Sequence, residues 1–175
     1  MSGKVALISS ETLSTRVLAA GLLPTHLAAI PGSDATAAAI VINRGTSDAS
    51  FFRLIDDEII TDRIQLHVGA NQWAISPSGR FAVAWSLSEA TEFDPIDGNQ
   101  ELSIIDLASD PIQTKRVTVD IRPELVVFDE QEETLVVVSD FSITLLQLNS
   151  SGKSSVPLSN GQGRDVSITR DGTHA

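Results

Sequence analysis

The sequence predicts an all-β fold assembled from a repeated unit of four short antiparallel strands, and three observations predict it. First, one layout of apolar strand, polar turn and apolar strand runs through the chain four times. The copies are "THLAAIPGSDATAAAIVI" (25–42), "QWAISPSGRFAVAWSL" (72–87), "ELVVFDEQEETLVVVS" (124–139) and the shorter "DVSITRDGTHA" (165–175). Taking the turn residues Pro31, Pro77, Asp129 and Arg170 as equivalent gives spacings of 46, 52 and 41 residues, near the ~40–50 residues of a four-stranded blade. Second, these paired strands are too densely apolar for a half-exposed hairpin, so both of their faces must be covered. Third, each pair is followed by a third apolar strand and a fourth, more polar one, the order of a meander. Radially stacked blades of this kind make a β-propeller, and 175 residues hold about 3.8 of them.

The elements follow in order. Third strands read as "KVALIS" (4–9), "FFRLI" (51–55), "LSIIDL" (102–107) and "SITLLQL" (142–148), and fourth strands as "TRVLAA" (15–20), "DRIQLHV" (62–68), "TKRVTVDI" (114–121) and "SSVPLS" (154–159). In the clearest turn, Pro77 sets φ and Ser78-Gly79 tolerates turn geometry, with Gly79 able to take positive φ. Asp171-Gly172 repeats this, Ser33-Asp34 is a looser version, and "DEQEE" substitutes a polar loop for the glycine. At the N-terminus "SETLSTRVLAAGLL" (10–23) also carries helix signals: Leu13, Val17 and Leu18 near helical spacing, Ser10 as a cap and Gly21 as a stop. Alignment with the later units favours strand, turn, strand. The expected organisation of the chain, 1–175, is the end of one blade (1–23), three blades (24–69, 70–121 and 122–163), and the start of a truncated one (164–175).

Composition narrows the function classes. Twelve basic residues against 23 acidic give a net charge of −11, and that field, with no Lys/Arg cluster against it, repels phosphate backbones and anionic membranes. No nucleic acid partner and no membrane insertion are expected, because no apolar run approaches the length of a span. Cysteine is absent, which removes disulfides and thiolate chemistry without fixing a compartment. "MSGKVALISSETLST" makes a poor signal peptide.

The stretch "LHVGANQWAISPSGRFAVA" followed by "NQELSIIDLAS" resembles the bacterial seven-bladed YVTN-type, WD40-like propeller repeat. Val68-Gly69, Ser76-Pro77-Ser78-Gly79-Arg80 and Leu102-Ser103-Ile104-Ile105-Asp106 carry the match. The unit from Arg122 departs from it, and the first has Pro-Gly-Ser-Asp instead. The resemblance implies a fold and an extracytoplasmic bacterial setting. It transfers no catalytic residue, since the motif is structural and such folds host many functions.

Closed propellers use roughly four to eight blades, so a fragment of a larger ring is favoured over a four-bladed ring. An open end would bare a blade face of ~500 Å², on the order of 10 kcal/mol of burial. The expected partner is the remainder of the propeller or another protein chain.

Candidate site residues come from the repeat alignment. Thr25, Gln72, Glu124 and Asp165, preceded by Pro24, Asn71, Pro123 and Arg164, open the first strand of each unit, where a propeller's channel rim lies. Thr25, Asn71, Gln72, Glu124 and Asp165 are therefore the candidate ligand-binding set, weighed against a merely hydrated channel. In "SEATEFDPIDGNQE" (88–101), Asp94, Asp97, Asn99 and Glu101 supply oxygen ligands, but the register of a calcium loop fails at Phe93 and Pro95, and a solvated turn is favoured. No cofactor is expected, and Ca²⁺ is the ion these positions would take. His26, His67 and His174 lack metal spacing, and no nucleophile elbow or phosphate loop accompanies the serines and glycines. Trp73 and Trp85 read as blade packing. The sequence thus favours a non-enzymatic scaffold or binding module. A lactonase-type hydrolase with a channel metal and a quinoprotein-dehydrogenase-like subunit are the alternatives.

Overall fold

In a computed structural model, the described residues are 3–32, 38–87, 99–159, 166–169 and 174. Among them there are fourteen strands and no helix. Three four-stranded antiparallel meanders follow one another. The first joins β3 (Pro24–Ala29), β4 (Ala38–Asn43), β5 (Asp48–Ile55) and β6 (Glu58–Gln65). The second joins β7 (Gln72–Ile75), β8 (Phe81–Trp85), β9 (Asn99–Asp106) and β10 (Gln113–Asp120). The third joins β11 (Leu125–Phe128), β12 (Thr134–Val138), β13 (Ser142–Gln147) and β14 (Lys153–Pro157). Before them lies a hairpin of β1 (Lys4–Ile8) and β2 (Thr15–Ala19). The helix reading of 10–23 therefore gives way to a turn and a strand, with Leu13 at φ 55 and its amide donating to Ser9 O.

Burial explains the dense apolar strands. β8 and β12 are buried at every residue, whereas β14 is exposed throughout. One core cluster joins the first two sheets, with Ile40, Ile42 and Phe51 facing Ala82, Ala84 and Ile105. A second joins the next pair, with Phe81, Val83 and Leu102 facing Val126, Leu135 and Val137. The second sheet thus uses alternate residues of β8 for opposite neighbours, as strand alternation allows. Trp73 packs on the first cluster and Trp85 belongs to the second.

The turns between first and second strands also stack from sheet to sheet. Gly79 has φ +76, and a Cβ there would lie 2.1 Å from Pro31 O. Glu132 takes the place of that glycine in the third sheet, at φ 55. Asp129 secures its turn by accepting from the amides of Glu133 and Thr134, each at 2.9 Å. The Glu132 carboxylate then accepts from the Ser78 amide and hydroxyl, both at 2.5 Å.

Candidate functional site

The meander order puts the starts of first and third strands, and the ends of second and fourth strands, at one end of each sheet. Ten of the thirteen buried polar side chains among the described residues lie at that end, with only Ser76, Asp129 and Thr134 at the other. Buried polar groups need partners, and the partners show how the end is built.

Besides Ser142 in β13, the third strand of each four-stranded sheet buries a hydroxyl at one shared register: Ser50, Ser103 and Thr144. Their fourth-strand neighbours, Arg63, Arg116 and Ser155, are equivalent by register. Ser50 Oγ accepts from Asn43 Nδ2 at 2.9 Å, and the same amide donates to Asp48 Oδ1 at 2.7 Å. Asp48 in turn pairs with Arg63. Thr144 meets Ser155 at 3.1 Å.

Ser103 holds the connection that leads from the first sheet to the second. Its Oγ accepts the His67 amide at 2.9 Å and lies 2.9 Å from His67 Nδ1, while His67 Nε2 meets Ser86 Oγ at 3.2 Å. Each ring nitrogen thus has a hydroxyl partner, which a neutral ring meets with one donor and one acceptor. Burial lowers its pKa to about 4, and the Arg116 guanidinium adds to the effect. Although a His–Ser pair suggests nucleophilic chemistry, Ser103 is 0% exposed and cannot reach a substrate. The pair is a pin between sheets.

The next connection is held by charge. Asp120 accepts from Ser142 Oγ, and Arg122 Nη1 lies 3.1 Å from Asp140 Oδ2. Asp140 Oδ1, Gln100 Oε1, Trp85 Nε1 and Asn43 Oδ1 are buried at this end without a hydrogen-bond partner, as are the hydroxyls of Thr25 and Thr46.

The residues singled out from sequence are distributed as follows. Thr25 lies in β3, just before a bulge at His26, and Gln72 opens β7 opposite Trp85. Glu124 is exposed ahead of β11, its amide donating to Val138 O at 2.9 Å. Asn71 continues the ladder past β7, its side-chain amide donating to Leu87 O at 2.9 Å and accepting from Leu87 N at 2.8 Å. These residues share one end but belong to three sheets, and Asn71 is already occupied. Asp165, Asp94 and Asp97 lie outside the described residues. Asn99 opens β9 opposite Asp120. Glu101 is exposed, 3.9 Å from Arg116 Nη1. His67 lies in the connection after β6, beyond the fourth strand to which the sequence assigned it. Among the described residues, no three His, Asp or Glu side chains gather as metal ligands.

First strands of adjacent sheets touch: Trp73 Nε1 donates to His26 O at 2.7 Å. The bulge explains this, because His26, at φ 50, turns its carbonyl out of the β3–β4 ladder. Sequence reasoning missed the His67–Ser103 pin and the Glu132–Ser78 link. The signal for the first was a hydroxyl recurring inside otherwise apolar third strands, in "ASFF", "LSII" and "SITLL".

No protein-family model matches the chain, and no curated protein matches it in sequence. Solved structures do. A protein of unknown function from Desulfotomaculum acetoxidans aligns with TM-score 0.59 and 14% identity, over 87% of this chain and 47% of the other. A proposed 6-phosphogluconolactonase from Bacteroides fragilis aligns with TM-score 0.53 and 14% identity, over 86% and 46%. Another from Bacteroides uniformis gives 0.50 and 12%, over 87% and 46%. At such identities the likeness shows the fold alone, and the chain spans just under half the length of these structures. Together with the stacked meanders, it defines the protein as part of a β-propeller.

Proposed function

We propose that this chain is a non-enzymatic scaffold and binding module of the YVTN-type, WD40-like propeller class, taking a protein or small ligand at the rim where the blade connections lie. One observation carries the reading: among the described residues, buried polar groups, including six of the seven buried side-chain atoms without a partner, concentrate at that end of the sheets. Thr25, Gln72 and Glu124 stand at the strand starts of the same rim, the repeat alignment adds Asp165 to the set, and connecting segments on a rigid scaffold are where recognition concentrates. The remainder of a propeller, or another chain, completes the ring.

A screen of small metabolites and Ca²⁺ by thermal shift and hydrogen exchange tests this. Binding is expected to protect residues 66–71 and 121–124 and to weaken in Gln72→Ala with Glu124→Ala. Protection confined to the Ser76–Gly79 end contradicts the reading. The likeness to a proposed 6-phosphogluconolactonase favours a second reading, a lactonase-type hydrolase with a channel metal. Lactone hydrolysis by the full-length protein, lost in Glu124→Gln or Asp165→Asn, would put that reading in place of the first.

A further inference from the structure

A cavity of about 170 Å³ opens between β10 of the second sheet and the β13–β14 turn of the third. Its walls carry Lys115, Arg116 and Lys153 and no carboxylate, on a chain whose acidic residues outnumber its basic ones 23 to 12. Lys115 and Lys153 bring their ammonium groups to the gap between these two sheets, while alternation along β10 turns Arg116, which pairs with Ser103, to the face towards the first sheet.

Backbone carbonyls hold the lysines. Lys115 Nζ donates to Gln147 O at 3.3 Å and Ser150 O at 2.7 Å, and Lys153 Nζ donates to Thr118 O at 2.7 Å. These bonds tie the outer strands of neighbouring sheets together. They orient the ammonium groups but leave their charge in place. An ammonium has three donors, so one remains on Lys115 and two on Lys153. Among the described residues, neither has a carboxylate partner. The Arg116 guanidinium adds no charge to this gap, because it faces the first sheet, with Nη2 donating to Leu66 O at 3.0 Å and Nη1 standing 3.9 Å from Glu101. Ser151 lies on the same wall, and Val117 and Leu146 are its apolar lining residues.

Sites that enclose whole small molecules measure roughly 300–1,000 Å³, so this one suits a single anionic group. We propose that the cavity binds the phosphate group of a small phosphate monoester, with the rest of the molecule outside. Two point-charge ammonium groups suit a dianion with three outer oxygens better than a singly charged carboxylate. This site lies on the outer strands, away from the rim proposed above, so either proposal can fail without the other.

Calorimetric titration of the full chain with inorganic phosphate, near neutral pH and at constant ionic strength, tests it. Saturable binding is expected, with methyl phosphate equivalent and acetate inert. Ser151→Asp keeps both lysine bonds while placing a negative charge in the cavity, and is expected to weaken binding at least about tenfold. Lys115→Gln with Lys153→Gln is expected to abolish it. No saturable binding, equal binding of acetate, or an unchanged Kd in Ser151→Asp would each overturn the proposal.

Discussion

Gly79 lies directly against the carbonyl of Pro31, so close that a methyl group on its α-carbon would sit 2.1 Å from that oxygen. Its φ of +76 adds a second reason for glycine. Gly79→Ala therefore meets both a backbone clash and a left-handed strain, and should destabilise by about 3 kcal/mol. Gly69 is a built-in control, at φ +87 but with only Ser86 Oγ nearby, at 3.2 Å. Gly69→Ala should cost about 1 kcal/mol. Urea unfolding of the two variants measures the difference, and equal losses would refute the stacking of turns between sheets.

Glu132 poses the reverse problem, a side chain where glycine would relax the backbone. Partial burial raises its pKa, but the hydrogen bonds from Ser78 and Ser76 and the Arg80 charge together outweigh that, and the net shift is downward. Glu132→Ala should lose about 1–2 kcal/mol of charge-assisted bonding. Glu132→Gly should lose about 1 kcal/mol less, because left-handed strain is relieved. A depressed carboxyl pKa contributes stability above its unfolded value that fades as pH falls, so the gap between wild type and Glu132→Ala should narrow in acid.

His67 gives a second pH dependence. Its unfolded imidazole takes up a proton near pH 6.5 and the folded one near pH 4. Between those values the unfolded state binds more protons, so stability falls as pH drops from 6.5 towards 4. The loss across the window is on the order of 3 kcal/mol. His67→Gln should flatten the profile in that window, as read by denaturant unfolding at a series of pH values.

Ile8 and Val17, each 63% exposed, lie on one face of the β1–β2 hairpin, because Ile8 pairs with Thr15 and Ala6 with Val17. Leu13, Leu23 and Leu27 are also exposed in this region, and bare apolar surface of this kind drives association. The chain should self-associate in solution, and Ile8→Lys with Val17→Lys should shift it towards monomer in analytical ultracentrifugation.

Much of the architecture was legible because blades bury both faces of their inner strands. "FAVAW" and "TLVVV" are continuous apolar runs, and they became the fully buried β8 and β12. Pro77, Ser78 and Gly79 marked their turn through local φ preference. Strand ends were less legible: β6 begins at Glu58 and β9 at Asn99, both earlier than apolar content alone suggested. In β6 the ladder pairing runs on through the exposed Glu58, Ile60 and Thr61, and in β9 through the polar Gln100 and Glu101. The site was harder still. Asn71 stands among the candidate ligand positions, and the engagement of its side-chain amide with Leu87 is hidden in the sequence because that partner is 16 residues away. His67 offered no spacing motif, since Ser103 is 36 residues away and meets it only once two strands have paired.

Native-state hydrogen exchange tests the central claim most directly, because stacked four-stranded sheets rank their strands by burial. The account predicts that amides in β4, β8 and β12, such as those of Ile42, Val83 and Val137, exchange only through global unfolding, while β1, β2 and β14 exchange through local opening. Protection of β1 and β2 equal to that of β8, or rapid exchange in any of the three second strands, would contradict it.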